Sequence, residues 1–263
     1  MKGGSLPNTK LPLVKGMTVT RKNAPAPPLV PGYWTQSQQP LQVLIFLLPF
    51  LAVYEVGLLW FKAKSRPNLA EVLLQKFFLI FGVDNPTLSY HLPALVIVVV
   101  LVTWHLTRRD KATFDPRTYI GMLIEAVLLA MPLFVFGLML FRGTQPSFAT
   151  SWSTAGVHLL ESIGAGLYEE FVFRVLGIAL VHAILVDLLA LPEKWGAAGA
   201  ITITAVLFSA AHFYAQSFHW GKFLYFAAAG VFFAIVYLLR GYGIAAGAHA
   251  AYNTFIVLQM MRM

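Results

Sequence analysis

The chain has 263 residues, 58% of them hydrophobic and only 11% charged, with a mean hydropathy of +0.71 and a net charge of +8. A soluble domain carries about 25% charged residues, whereas here apolar runs of roughly 20 residues recur, so the chain reads as an all-α polytopic membrane protein, not a barrel of alternating strands. It has no cysteine, which excludes disulfides, thiolate metal sites and cysteine nucleophiles; its basic residues gather in the N-terminal tail and at span ends, which argues against a nucleic-acid partner.

Residues 1–40 are rich in Pro, Lys, Gly and Thr, and Lys2, Lys10, Lys15, Arg21 and Lys22 are not followed at once by an apolar core. They read as a flexible basic arm and not as a cleaved signal peptide. The transmembrane domain is expected over 41–263. A first span covers 41–61, with Glu55 inside it. Residues 68–83 form a shorter helix carrying Glu71 and Lys76, and whether it crosses the membrane or lies in the interface is open. Spans follow at 92–106 and 119–141, separated by a basic turn.

Residues 155–190 are largely apolar, and as helix they would run roughly 54 Å, too far for one ordinary span. Gly164 and Gly166 are candidate points for a bend or break. Three more spans are expected at 197–215, 222–240 and 243–260. The total is about eight membrane helices, with no second domain and no internal repeat. If 68–83 does not cross, the tail and the Arg108–Arg117 turn share the more positive side, which would be cytoplasmic.

Charges within spans are costly and mark function by default. Glu170 and Arg174 are four apart, in the favourable acid-first order for pairing on one helix face. Glu169 is turned about 100° from Glu170 on an α-helix and has no cation four residues away, so it is the carboxylate available for general-base work. The plainer alternative is an ion-pair cluster that locks helices together. His212 ends a helical run, with Phe208 four residues earlier; alone it is an interface histidine. His249 and Asn253 are four apart on a small-residue helix, Gly247-Ala-His-Ala-Ala-Tyr-Asn253, where close packing would bring polar groups together. His91, His105, His158, His182 and His219 fit no motif and read as structural or interfacial.

Glu169-Glu170-x-x-x-Arg174, Phe208-x-x-x-His212 and His249-x-x-x-Asn253 resemble, in order and spacing, the three motifs of the CPBP family, which contains the type II CAAX prenyl endopeptidases and the Abi proteins. The resemblance covers about residues 150–258. It implies an eight-helix bundle with a polar intramembrane cavity, and an intramembrane endopeptidase that hydrolyses a peptide bond, often near the C terminus of a membrane-anchored protein or peptide. It also implies that Glu169 activates water, that His212 helps to hold that water, that His249 and Asn253 donate to the oxyanion, and that Glu170, Arg174 and Phe208 support the site. No cofactor is then required. The alternative is a divalent metal, with Glu169, His212 and His249 as zinc ligands; Asn253, a poor zinc ligand and a good oxyanion donor, favours the metal-free form. The substrate is left open among prenylated CAAX proteins, bacteriocin precursors and proteins with a C-terminal sorting anchor. The expected setting is a bacterial inner membrane. A non-catalytic scaffold of the same family is the rival reading, and a proton-relay transporter lacks the expected repeats.

Overall fold

Prolines and capping side chains set where the helices begin. The computed structural model describes residues 32–61, 69–110, 114–141, 152–214 and 217–261. A short turn, α1 (Tyr33–Gln36), leads into α2 (Pro40–Phe61), α3 (Leu69–Ile80), α4 (Pro86–Arg108) and α5 (Pro116–Leu140). Asn85 accepts a hydrogen bond from Leu88 N and Asp115 from Arg117 N, each just before a proline whose missing N–H is not needed there. These caps start α4 at Pro86 and α5 at Pro116, ahead of the apolar runs expected from residues 92 and 119. The chain continues through a long rod, α6 (residues 152–188), then α7 (Glu193–Ala211), α8 (Trp220–Arg240) and α9 (Tyr242–Met260). Among the described residues there is no strand, and six helices are long and apolar enough to cross a membrane. The protein is an all-α, multi-pass membrane bundle.

The short helix does not cross. Its 12 residues extend about 18 Å, against a hydrocarbon core of about 30 Å. Pro40 at the start of α2 and Arg108 at the end of α4 line one small pocket with Gln38 and Trp104, so α2 and α4 run antiparallel with α3 between their other ends. Glu71 of α3 is buried and accepts from Tyr54 Oη at 2.7 Å. The Arg108–Arg117 turn therefore shares one end of the bundle with the start of α2.

The rod α6 is not broken where glycines suggested a break. It starts as α-helix over Trp152–Gly164 and continues through π-helical turns at Ala165–Glu169 and Phe171–Leu176, an α-helical turn at Gly177–His182 and a last π-helical turn at Ala183–Leu188. Gly164 keeps helical dihedrals of φ −58° and ψ −43°. The glycines serve contact instead: a Cβ on Gly164 would sit 2.4 Å from the Tyr54 ring, and one on Gly166 would sit 2.5 Å from the Ala246 carbonyl oxygen. They let α2 and α9 approach the rod closely.

α9 occupies the centre. Every residue from Tyr242 to Ala250 is buried, packed through small side chains against α2, α5, α6 and α8. At its entry Gly241 takes φ +82°, a left-handed turn natural to glycine. Beside this turn Arg240 pairs with Glu125 and lies 3.8 Å over the Trp34 ring, while Tyr33 Oη donates to Glu125 Oε2 at 2.5 Å. Burial, and then the neighbouring Glu125, push the Tyr33 hydroxyl up to about 12, so it remains a donor. This clasp fastens α1 to the bundle. The arm expected over residues 1–40 thus ends earlier than expected; residues 1–31 lie outside the described residues.

Candidate functional site

The π-helical turns of α6 set the register of the two adjacent carboxylates. Their i→i+5 repeat is wider than that of an α-helix, so successive residues diverge less around the axis. Glu169 closes the first π-helical turn and Phe171 opens the second, with Glu170 between them. Both carboxylates consequently reach the same imidazole. His249 Nδ1–H donates to Glu170 Oε1 at 2.7 Å, and His249 Nε2 lies 3.9 Å from Glu169 Oε2. Glu170 Oε2 is 3.0 Å from Arg174 Nε, as the four-residue spacing predicts. Glu169 has no cation on its own helix face, as expected, and instead lies beside His249, which it shares with its neighbour.

Arg174 is sealed into the bundle, 1% exposed. One guanidinium nitrogen donates to the Gly230 carbonyl at 3.2 Å, and the group lies 4.3 Å above the Phe208 ring. Phe208 is the hub between the motif helices. Its ring meets His212 edge-on at 4.7 Å and His249 at 5.9 Å. Phe233 of α8 stacks flat on His249 at 4.7 Å, which fixes the imidazole plane. His249 stands between the two carboxylates.

His212 caps the C-terminal end of α7. Its Nδ1–H donates to the Phe208 carbonyl at 2.9 Å and its ring stacks on Phe226 at 4.1 Å, which makes Nε2 the acceptor nitrogen of the neutral ring. His212, His249 and Asn253 line a cavity of about 360 Å³, walled otherwise by Phe141, Phe226 and Phe233 and by Tyr225, Tyr252 and Lys222. Glu169 does not line it. It meets the cavity across His249, with 12% of its side chain exposed. Its Oε2 accepts no hydrogen bond among the described residues.

Part of this site carries no local sequence signal. Tyr225 Oη donates to the Leu133 carbonyl at 3.1 Å and therefore accepts from Tyr252 Oη at 2.7 Å; only the adjacency of Tyr252 to Asn253 hints at it. A second polar cluster lies N-terminal to the motif, where His91 bonds Glu55 and Tyr168 Oη donates to Glu55 Oε1 at 3.3 Å. His158 and His182 bond Glu161 and Glu193, and His219 caps α8. On the outer side of α6 and α7 an apolar groove of about 620 Å³ runs past Leu73, Leu176, Leu180 and Leu207. Phe173 in that groove packs edge-on against Phe208 at 5.5 Å, so one aromatic pair separates groove from cavity.

Among the described residues no three histidine or carboxylate side chains converge as a metal site requires. Glu169, His212 and His249 thus do not form a ready three-ligand metal site among the described residues.

Compared with known proteins, residues 151–255 match the family model described as type II CAAX prenyl endopeptidase Rce1-like. That span contains every motif residue from Glu169 to Asn253 and leaves residues 1–150 outside the match. No curated protein and no solved structure matches the chain.

Proposed function

We propose that the protein is an intramembrane endopeptidase that cuts a membrane-tethered protein or peptide near its C terminus by glutamate-activated attack of water, a reading supported by the match of residues 151–255 to the Rce1-like family model. The observation that carries this reading is the convergence of Glu169 and Glu170 on His249, beside a cavity that His212 and Asn253 also line. An ion pair that only fastens helices needs one carboxylate for Arg174. It does not need the second.

Glu169 takes a proton from a water as the water oxygen bonds to the scissile carbonyl carbon. His212 Nε2, an acceptor, orients that water. The carbonyl electron pair moves onto oxygen, where the Asn253 amide N–H and His249 Nε2–H donate to it; such donors contribute about 3–4 kcal/mol each. His249 can donate from Nε2 while Nδ1–H holds Glu170 only as the imidazolium. The C–N bond then breaks, and Glu169 returns its proton to the leaving nitrogen and regains its carboxylate form. Glu170 and Arg174 position His249 and take no proton. The apolar groove beyond Phe173 suits the hydrocarbon chain of a tethered substrate.

Because the substrate is to be found, the test is comparative proteomics of membrane proteins from wild-type and Glu169→Ala cells. The expected result is a membrane protein that keeps its C-terminal segment only in the mutant. Identical C termini in both, with the mutant protein folded and present, would turn the assignment toward a scaffold.

A further inference from the structure

The cavity holds two hydroxyls that the reaction does not use. Tyr225 of α8 and Tyr252 of α9 both line it, and their oxygens are 2.7 Å apart. Tyr225 Oη gives its proton to the Leu133 carbonyl at 3.1 Å. That carbonyl is within reach because Gly137, one helical turn further along α5, has no side chain: a Cβ there would stand 2.8 Å from the Tyr225 hydroxyl. Phe136 stacks on the Tyr225 ring at 5.7 Å and Phe141 meets it edge-on at 5.3 Å, which holds the hydroxyl in place. The two protons therefore point in series, from Tyr252 to Tyr225 and from Tyr225 to α5. Tyr252 Oη has given its only proton away, and among the described residues nothing donates to it. It offers the cavity lone pairs and no donor.

We propose that Tyr252 Oη accepts a backbone N–H of the substrate within about two residues of the cut bond, and that Tyr225 is the positioning residue that keeps Tyr252 an acceptor. The inference rests on the endopeptidase reading and deepens it. Tyr252 follows His249 by three residues, a rise of about 4.5 Å along α9, and extended peptide advances about 3.3 Å per residue. A peptide that enters between Phe141, Phe226 and Phe233 leaves water behind, and an amide N–H left unpaired there is costly. The reaction steps use donors for the oxyanion and an acceptor for the water, and they leave that N–H unmatched. Tyr252 meets it.

Detergent-purified protein is given an S-prenylated CAAX peptide and a series of the same peptide in which one amide N–H at a time, the cut bond excepted, is replaced by an ester oxygen. Binding is measured in the Glu169→Gln background, where the peptide stays whole, and cleavage with Glu169 in place. With both tyrosines present, one ester within about two residues of the cut bond should weaken binding about fivefold, the scale of one neutral hydrogen bond. Tyr252→Phe should weaken the parent peptide by the same factor and abolish the further loss at that ester and at no other. In Tyr225→Phe the Tyr252 proton is free to turn toward the ester oxygen, and the ester penalty should shrink. An ester series without a penalty, or a penalty that survives Tyr252→Phe in full, overturns the proposal. A penalty unchanged in Tyr225→Phe overturns the proton chain on which it stands. If no form cuts the peptide, the endopeptidase reading fails, while the ester penalties in binding still decide for or against the amide subsite.

Discussion

Arg174→Leu isolates the structural half of the motif. It removes a guanidinium that is 1% exposed and leaves Glu170, fully buried, with His249 as its remaining partner. Removing one member of a buried pair costs about 3–5 kcal/mol, because the surviving ion has neither water nor counter-charge. Here the Gly230 carbonyl also loses a donor at 3.2 Å and the Phe208 ring loses a cation at 4.3 Å, which places the loss toward the upper end of that range. Glu170→Leu/Arg174→Leu removes both charges, and apolar replacement of a buried pair is often close to neutral. What remains is His249 Nδ1–H without its acceptor and the Gly230 carbonyl without its donor, together about 1–3 kcal/mol. The double variant should therefore be about 2 kcal/mol more stable than Arg174→Leu, as read by reversible unfolding in mixed detergent micelles. An Arg174→Leu protein within about 1 kcal/mol of wild type, or a double variant no better than the single, would refute the reasoning.

Three further outcomes follow from the packing. Gly166→Ala puts a Cβ 2.5 Å from the Ala246 carbonyl oxygen and 2.8 Å from Ala250; the same micelle titration should show a loss of about 1–3 kcal/mol, the usual cost of overpacking. Purified active protein is expected to hold far less than one zinc per chain by elemental analysis and to stay active in chelator; stoichiometric zinc, with activity lost on chelation and restored by zinc, would overturn the metal-free chemistry. Because the chain has no cysteine, single cysteines report sidedness cleanly. Phe114→Cys, at the Arg108–Arg117 end, should be labelled from the cytoplasm and Ser217→Cys from the other side. The opposite pattern would contradict the charge rule and tell which leaflet the Lys222 end of the cavity serves.

How far the sequence foretold this arrangement differs residue by residue. The Glu170–Arg174 pair was legible because four residues is one turn, and π-helical turns still leave that contact within reach. The motifs placed Glu169 near His249, but that both adjacent carboxylates would share one imidazole was not legible, since it depends on π-helical turns and the same residues would serve an α-helix as well. Gly164 and Gly166 read as weak points in isolation; only the positions of Tyr54 and Ala246 reveal them as contact points. Hydropathy placed α4 and α5 but missed their first residues, where Asn85 and Asp115 act through local hydrogen bonds to the backbone. Whether α3 crosses could not be decided from its own composition, because the answer lies in the antiparallel placement of α2 and α4. Tyr225, Tyr252 and Lys222 come together from α8 and α9, and no spacing along one helix announces a meeting of two.

The central claim is that Glu169, and not its neighbour, is the base. The most direct measurement is kcat for purified wild type and Glu169→Gln on a substrate identified in cells, with peptide binding measured beside it. Glutamine keeps the shape and cannot accept the proton of water. The account predicts a fall in kcat of about 10²–10⁴-fold with binding retained and the protein folded. Turnover by Glu169→Gln within tenfold of wild type would contradict it.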